Sequence, residues 1–122
     1  MGTNFGNLAK ELRIASGQTL RSFCAENNFD PGNISKIERG RALPPDSDEK
    51  LATYAQALGL SKGTTNWQNF FDQAYAAKGK IPTDLLDDDE VLDKLPVLFR
   101  TLRGLRADGD ALDDLIDKIR RA

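Results

Sequence analysis

The sequence predicts an all-α fold, and three observations favour it. Apolar residues recur at intervals of three and four, the spacing that lines one face of a helix. Capping residues precede several of these stretches, and glycines follow them. Charged residues make up 30% of the 122 residues and apolar residues 39%, a composition typical of soluble globular proteins. The expected organisation is a helical domain over residues 1–80 with a helical extension over residues 81–122.

Two short helices joined by a tight turn are the central feature of the first half. Their inward-facing stripes consist of Phe23, Cys24, Asn27, Ile34 and Ile37. Between the stripes, Asn28 tolerates the left-handed conformation that ends a helix, and Asp30 is a good N-cap. Pro31 suits the first helical position, and Gly40 ends the second helix. Phe29 is expected to pack at the corner between the two helices.

The other helices of this domain are predicted from the same spacing. A first helix spans residues 5–16, a fourth follows a cap at Asp46 or Ser47, and a fifth spans residues 64–78. Their core stripes are Phe5, Leu8, Leu12 and Ala15, then Leu51, Tyr54, Ala55 and Leu58, then Trp67, Phe70, Phe71, Ala74 and Tyr75. The aromatic stripe of the fifth helix is interpreted as core, because such a stripe lines a core more often than a ligand pocket.

Several short motifs then point to a family. They are Leu12-Arg13, Gly17-Gln18-Thr19, Ile34-Ser35-Lys36-Ile37-Glu38-Arg39-Gly40 and Ala57-Leu58-Gly59-Leu60. In this order the chain resembles the Xre/Cro-type helix-turn-helix family of phage repressors, bacterial regulators and antitoxins, over about residues 5–60. The resemblance implies a five-helix, repressor-like helix-turn-helix domain with its motif at about residues 19–40. The alternative is an αα-corner in an ordinary helical bundle.

The resemblance also implies a DNA-binding surface on the second helix of the motif. The residues that it places on double-stranded DNA are Thr19, Pro31, Gly32, Asn33, Ser35, Lys36, Arg39 and Arg41. Asn33 suits adenine and Lys36 suits guanine, so these two would read bases. Arg39 and Arg41 would contact phosphates, with solvated surface charges as the alternative. Leu20 departs from the family, which often has Gln there.

By the same resemblance, Arg13 pairs with Glu38 inside the domain and ties the first helix to the recognition helix. The alternative is two solvated charges, the usual state on helix surfaces. A buried pair would fix the orientation of the recognition helix rather than add stability.

The charge distribution gives limited support for DNA binding. Residues 1–60 hold seven basic and seven acidic side chains, and residues 61–122 hold ten basic and twelve acidic, so the acidity lies in the second half. The net charge of −2 is unusual for a nucleic-acid-binding protein. Locally, however, Lys36, Arg39 and Arg41 lie close together along the sequence.

The extension contains two further apolar stretches. Residues 91–103 are apolar-rich and contain Pro96, which is expected to kink or restart the helix. Gly104 and Gly109 are expected to bracket a loop before a last helix over residues 110–121. The residues expected at a dimer or partner interface are Leu95, Leu98, Phe99, Leu112, Leu115, Ile116 and Ile119. These residues could pack against the helical bundle of the same chain, a second copy of the chain, or another protein.

Four consecutive acids, residues 87–90, precede this extension helix. They could mimic DNA or hold a divalent cation. The favoured interpretation is that they lie at a helix N-terminus, where the helix dipole favours negative charge.

Dimerisation is expected through residues 88–121.

Composition excludes several classes of function. Histidine is absent and Cys24 is the single cysteine, so His/Cys metal sites, His-assisted triads and an internal disulfide are excluded, and no enzyme or cofactor is predicted. No apolar run reaches the roughly 20 residues of a membrane span, and no targeting segment is evident, so a cytoplasmic location is expected.

The predicted function is a sequence-specific transcriptional regulator that binds its operator as a homodimer and blocks or recruits RNA polymerase, with a repressor as the favoured interpretation. One alternative is an antitoxin that binds both its promoter and a toxin. The other is a protein-interaction module without DNA binding, which the neutral first half and the Pro31-Gly32 helix start would favour.

Overall fold

The computed structural model describes residues 3–106 and 109–121. In these residues it contains α-helices and no β-strand, which confirms the predicted all-α class. The chain divides into two compact units, Met1–Pro82 and Thr83–Ala122.

The first unit contains five helices. They are α1 (Thr3–Ala15), α2 (Leu20–Asn27), α3 (Pro31–Glu38), α4 (Asp48–Ala57) and α5 (Thr65–Ala77). Helix α1 packs against both α3 and α5, α2 packs against α3, and α4 contacts α5. The recognition-helix candidate, α3, is therefore held by two neighbouring helices.

Side-chain caps start four of these helices. The oxygens of Thr19, Asp30, Ser47 and Thr64 each accept a hydrogen bond from the backbone N–H three residues further on, at 3.0–3.2 Å. Such a cap satisfies one of the N–H groups that a helix start leaves unpaired. Ser47, rather than Asp46, is the cap of α4.

An aromatic core holds the first unit together, with Tyr54 at its centre. The Tyr54 ring lies 5.6–6.1 Å from the rings of Phe5, Phe23, Phe29 and Phe70, measured between centroids. These separations lie in the favourable range for aromatic pairs. The predicted stripe of α4 is fully buried, and that of α5 is buried apart from the half-buried Phe71.

The predicted stripe of α1 is partly wrong. Ala15 is exposed, while Ala9 is completely buried and Leu8 and Leu12 are half-buried. The buried face of α1 also contains Gly6, where an added Cβ would overlap the Ile37 carbonyl oxygen at the end of α3. Glycine at position 6 lets α1 and α3 approach closely, a requirement that a search for large apolar residues does not detect.

The second unit contains three helices, α6 (Thr83–Leu86), α7 (Asp89–Arg106) and α8 (Gly109–Arg121). Helix α7 contacts both α6 and α8. None of the described side chains of this unit is buried. The Asp88 carboxylate accepts from the N–H groups of Glu90 at 2.9 Å and Val91 at 3.3 Å, so this acid caps α7 as the favoured interpretation requires.

Of the two outcomes expected at Pro96, a kink or a restart, the restart is wrong, because α7 continues through this residue. The loop expected at Gly104 is also wrong, because Gly104 lies inside α7. Proline in a helix interior removes one backbone donor and clashes with the carbonyl four residues earlier, at a cost of about 3 kcal/mol or more, and glycine costs roughly 1 kcal/mol. The apolar residues of α7 continue past both positions, although none of the described side chains of this helix is buried.

A search of the described helices found none that is both long and apolar enough to span a lipid bilayer.

Candidate nucleic-acid interface

The turn between α2 and α3 has the geometry that its sequence predicts. Asn28 adopts the left-handed conformation, with φ 58°, and its N–H donates to the Cys24 carbonyl. The Phe29 N–H donates to the same Cys24 carbonyl at 2.9 Å. The Phe29 ring packs 5.6 Å from the Phe23 ring, so the turn is anchored in the aromatic core. This anchoring fixes the angle at which α3 leaves the turn.

Helix α3 has a buried face and an exposed polar face. Ile34, Ile37 and Glu38 are buried. The exposed predicted DNA contacts on this helix and next to it are Pro31, Gly32, Asn33, Lys36, Arg39 and Arg41. Thr19, the cap of α2, is also exposed, whereas Ser35 is half-buried. All the predicted contacts other than Ser35 are therefore open to solvent in the described structure.

The predicted partners Arg13 and Glu38 form a bidentate ion pair. Arg13 Nε donates to Glu38 Oε2 at 2.8 Å, and Nη2 donates to Oε1 at 2.9 Å. The third donor of the guanidinium, Nη1, bonds the Gln18 carbonyl at 2.9 Å. Only 8% of Arg13 and 7% of Glu38 are exposed. This geometry ties α1, the start of the motif and the end of α3 together.

Hydrogen bonding to Glu38 raises the pKa of the Arg13 guanidinium, against the opposing effect of desolvation. Arg13 therefore stays charged at any physiological pH. Because the Glu38 carboxylate is turned inward and paired, it does not cancel the charge of the exposed face of α3.

The positive charge lies toward the C-terminal end of α3. Lys36 and Arg39 are exposed on the helix, and Arg39 Nε donates to the Ser35 carbonyl at 3.3 Å. Gly40 has φ 74° and turns the chain, so that the Arg41 N–H donates to the Lys36 carbonyl at 2.8 Å. At the other end of α3, the Asp30 cap adds a negative charge.

An open groove of about 640 Å³ lies beside α3 in the first unit. Its walls come from α3, the connector before α4, and α4 itself, and they include Asn33, Ile37, Leu43, Pro44 and Tyr54. The sequence reasoning did not predict this groove. The stiff Leu43-Pro44-Pro45 connector that shapes it was evident in the sequence, but no pattern indicated its distance from α3.

Cys24 is buried, and burial is the largest cause raising the pKa of its thiol. This environment suits packing rather than redox chemistry. Among the described residues, no group of three or more Cys, Asp or Glu side chains is placed to hold a metal ion.

The predicted interface residues of the second unit fall into three groups. Leu98, Phe99 and Ile116 are exposed, with exposed fractions of 38–45%. Leu95 and Leu115 are half-buried. The side chains of Leu112 and Ile119 lie outside the described residues.

Comparison of the chain with models of protein families, with curated proteins and with solved structures found no match.

Proposed function

We propose that this protein is a sequence-specific DNA-binding transcriptional regulator whose α2–turn–α3 segment is a helix-turn-helix. The observation that carries the proposal is the two-sided character of α3. Its inner side is fixed by the ion pair to Arg13 and by apolar packing, while its outer side presents polar and basic groups without a large apolar residue. A surface that is fixed in orientation but free of apolar contacts suits the major groove of DNA.

The exposed residues have two proposed roles, contacts with bases and contacts with phosphates. Asn33, in the first turn of α3, can pair in bidentate fashion with adenine, and Lys36 can donate to guanine. Arg39, Arg41 and the capped N-terminus of α2 at Thr19 are placed for phosphates, which supply much of the affinity but little sequence information. Pro31 and Gly32 have no side-chain donor, so they permit close backbone approach.

The proposed mechanism is occupancy of an operator as a repressor. Two copies would place their α3 helices in successive major grooves, about 34 Å apart, on a twofold DNA site. Bound there, the dimer would exclude RNA polymerase from an overlapping promoter.

A salt-series binding titration tests this proposal. The duplex is the DNA upstream of the protein's own gene, and a random duplex of equal length is the control. We expect tight binding to the upstream DNA alone, with affinity falling steeply as salt increases, because bound cations release counterions from phosphates. Absence of binding to either duplex at low salt would contradict the proposal and favour the interaction-module alternative.

The Lys36→Ala variant tests the assignment of base readout. Loss of one base contact should cost about 1–3 kcal/mol on the preferred duplex and little on random DNA, because only the preferred duplex offers the correct base. Lys62→Ala is the matched control, since Lys62 is exposed between α4 and α5. Equal losses on both duplexes would instead make Lys36 a phosphate contact.

A further inference from the structure

The second half of α7 carries an arginine ridge, which consists of Arg100, Arg103 and Arg106. These residues follow one another at intervals of three, which are neighbouring positions on the surface of a helix. All three side chains are exposed. The ion pairs found in the part of the chain that the structure describes, Arg13–Glu38 and Lys50–Asp46, include none of them. The ridge therefore presents three guanidinium groups to solvent.

Stability of the helix does not explain the arginine ridge. Residues 94–106 contain four basic side chains and no acidic one, although residues 83–122 as a whole contain eleven acidic and seven basic side chains. The helix dipole favours basic residues in the last turn, which includes Arg103 and Arg106 but not Arg100. Like charges three residues apart repel each other and lower the stability of a helix. The ridge is thus a cost to α7 that a partner of opposite charge would remove.

The arginine ridge lies on a different side of α7 from the apolar side chains. At 3.6 residues per turn, Arg100 and Arg103 lie about 160° and 140° around the helix from Leu98. A partner that packs on Leu98 would therefore leave these two guanidinium groups accessible. Asp93, the last acid before the ridge, lies about 10 Å along the axis from Arg100, farther than the Debye length of about 8 Å at physiological salt.

Phosphate groups have the charge and shape that fit this ridge. The planar guanidinium group binds phosphate in bidentate fashion and is less strongly hydrated than an ammonium group. DNA-binding proteins gain much of their affinity from the phosphates that they neutralise. In the first unit, only Arg39, Arg41 and the N-terminus of α2 are proposed for phosphates, and residues 1–60 carry equal numbers of basic and acidic side chains. A chain of this kind would gain affinity from further cations.

The arginine ridge is also tethered to the proposed helix-turn-helix. Helix α5 ends at Ala77 and α6 begins at Thr83, so five residues connect them. Five extended residues span at most about 18 Å. A short connector gives the second contact of a bound chain a high effective concentration. DNA held by the first unit is therefore the phosphate surface that the ridge meets most often.

We propose that the arginine ridge is a second DNA-contact surface, which binds phosphates of the duplex beside the site that α3 reads. The inference rests on the proposed function and deepens it, because it assigns the second unit a direct contact with DNA. Phosphate contacts add affinity without sequence preference, so the ridge strengthens binding to any duplex by a similar factor. An acidic segment of another protein is the alternative partner, and in that case the ridge would not contribute to DNA binding.

Salt-series binding titrations of the full chain, on the upstream duplex and on the random duplex, test this proposal with three variants. In the glutamine variant all three arginines are replaced by glutamine, which has a similar helix propensity. In the lysine variant they are replaced by lysine, which keeps the charge. The control variant carries Lys10→Gln, Lys62→Gln and Lys80→Gln, three exposed positions outside the proposed DNA contacts that give the same change in net charge. Circular dichroism and sedimentation equilibrium verify that each variant keeps the helix content and the mass of the parent.

The glutamine variant should bind both duplexes at least about tenfold more weakly, and its plot of log K against log salt should be shallower by about 2–3, because each phosphate contact contributes about 0.9. The lysine variant should keep the parental slope, and the control variant should keep both slope and affinity. An unchanged slope for the glutamine variant, or a loss confined to the upstream duplex, would overturn the proposal and leave the proposed function intact. A parent that binds neither duplex would overturn both.

Hydroxyl-radical footprinting of the upstream duplex locates the contact. The parent should protect the sugars of the two segments that face α3 and also the backbone that flanks them. At concentrations that saturate the site, the glutamine variant should lose the flanking protection and keep the rest. Identical footprints of the parent and the glutamine variant would overturn the proposal.

Discussion

Replacing Glu38 with alanine tests whether the ion pair fixes α3 within the first unit. The substitution leaves the Arg13 guanidinium buried, with two of its three described hydrogen bonds removed. Removing one partner of a buried pair costs about 3–5 kcal/mol, because the remaining charge is neither paired nor hydrated. That is a large part of the roughly 5–15 kcal/mol by which a domain is stable.

The double variant Arg13→Met with Glu38→Leu separates the cost of a lone charge from the value of the pair. Apolar residues of similar volume need no partner, so we expect its stability to lie within about 1 kcal/mol of the parent or above it. The Gln18 carbonyl loses its donor in this variant, but Gln18 is half-buried and its carbonyl can be hydrated.

Urea unfolding followed by circular dichroism measures both effects. For a denaturant slope near 1.5 kcal/mol per molar urea, Glu38→Ala should lower the midpoint by about 2–3 M. Lys50→Ala is the control, because Lys50 and Asp46 form an exposed pair at 3.8 Å that is expected to contribute less than about 1 kcal/mol. If Glu38→Ala costs no more than this control, the pair does not hold α3 and the reasoning is refuted.

Three further predictions concern the core. Gly6→Ala should destabilise the first unit by more than about 1 kcal/mol in urea unfolding, because the added Cβ would lie 2.7 Å from the Glu38 carbonyl oxygen. Gly32→Ala is its control and should be neutral or stabilising, because the nearest atom to the added Cβ would lie 3.5 Å away. Tyr54→Phe should retain or gain up to about 1 kcal/mol, because the buried Tyr54 hydroxyl has no hydrogen-bond partner in the described residues; a clear loss would reveal one. Burial and a raised thiol pKa should make Cys24 react with a thiol reagent only as fast as the unit opens, and rapid labelling of the native chain would contradict its burial.

Sequence predicted the local features of this fold because their causes are local. A capping oxygen bonds an N–H three residues away, as at Asp30 and Ser47, so the residue type and its place before an apolar stripe suffice. The left-handed turn at Asn28 likewise depends on one residue and its immediate neighbours. Helix spacing then predicted which face is buried, most fully for α4, where all four stripe residues are in the core.

Tertiary requirements were harder to predict. The close contact between α1 and α3 requires glycine at position 6, but glycine is not distinctive at one position of a helical sequence. Pro96 and Gly104 are helix breakers by propensity, yet α7 includes both, so propensity alone did not predict the bounds of this helix. The groove beside α3 depends on how a connector folds back, and no short sequence pattern determines that.

In α3 the residues that stabilise the fold are different from those proposed to bind DNA. The groups that orient the helix, namely Ile34, Ile37 and Glu38, all lie on its buried side. The proposed base-reading residues, Asn33 and Lys36, are exposed, and neither side chain forms a hydrogen bond with another residue in the part of the chain that the structure describes. Substitutions at these two positions should therefore change DNA preference at little cost in folding free energy. If the exposed side chains of α3 also packed in the core, substitutions that change DNA preference would also lower the stability of the fold.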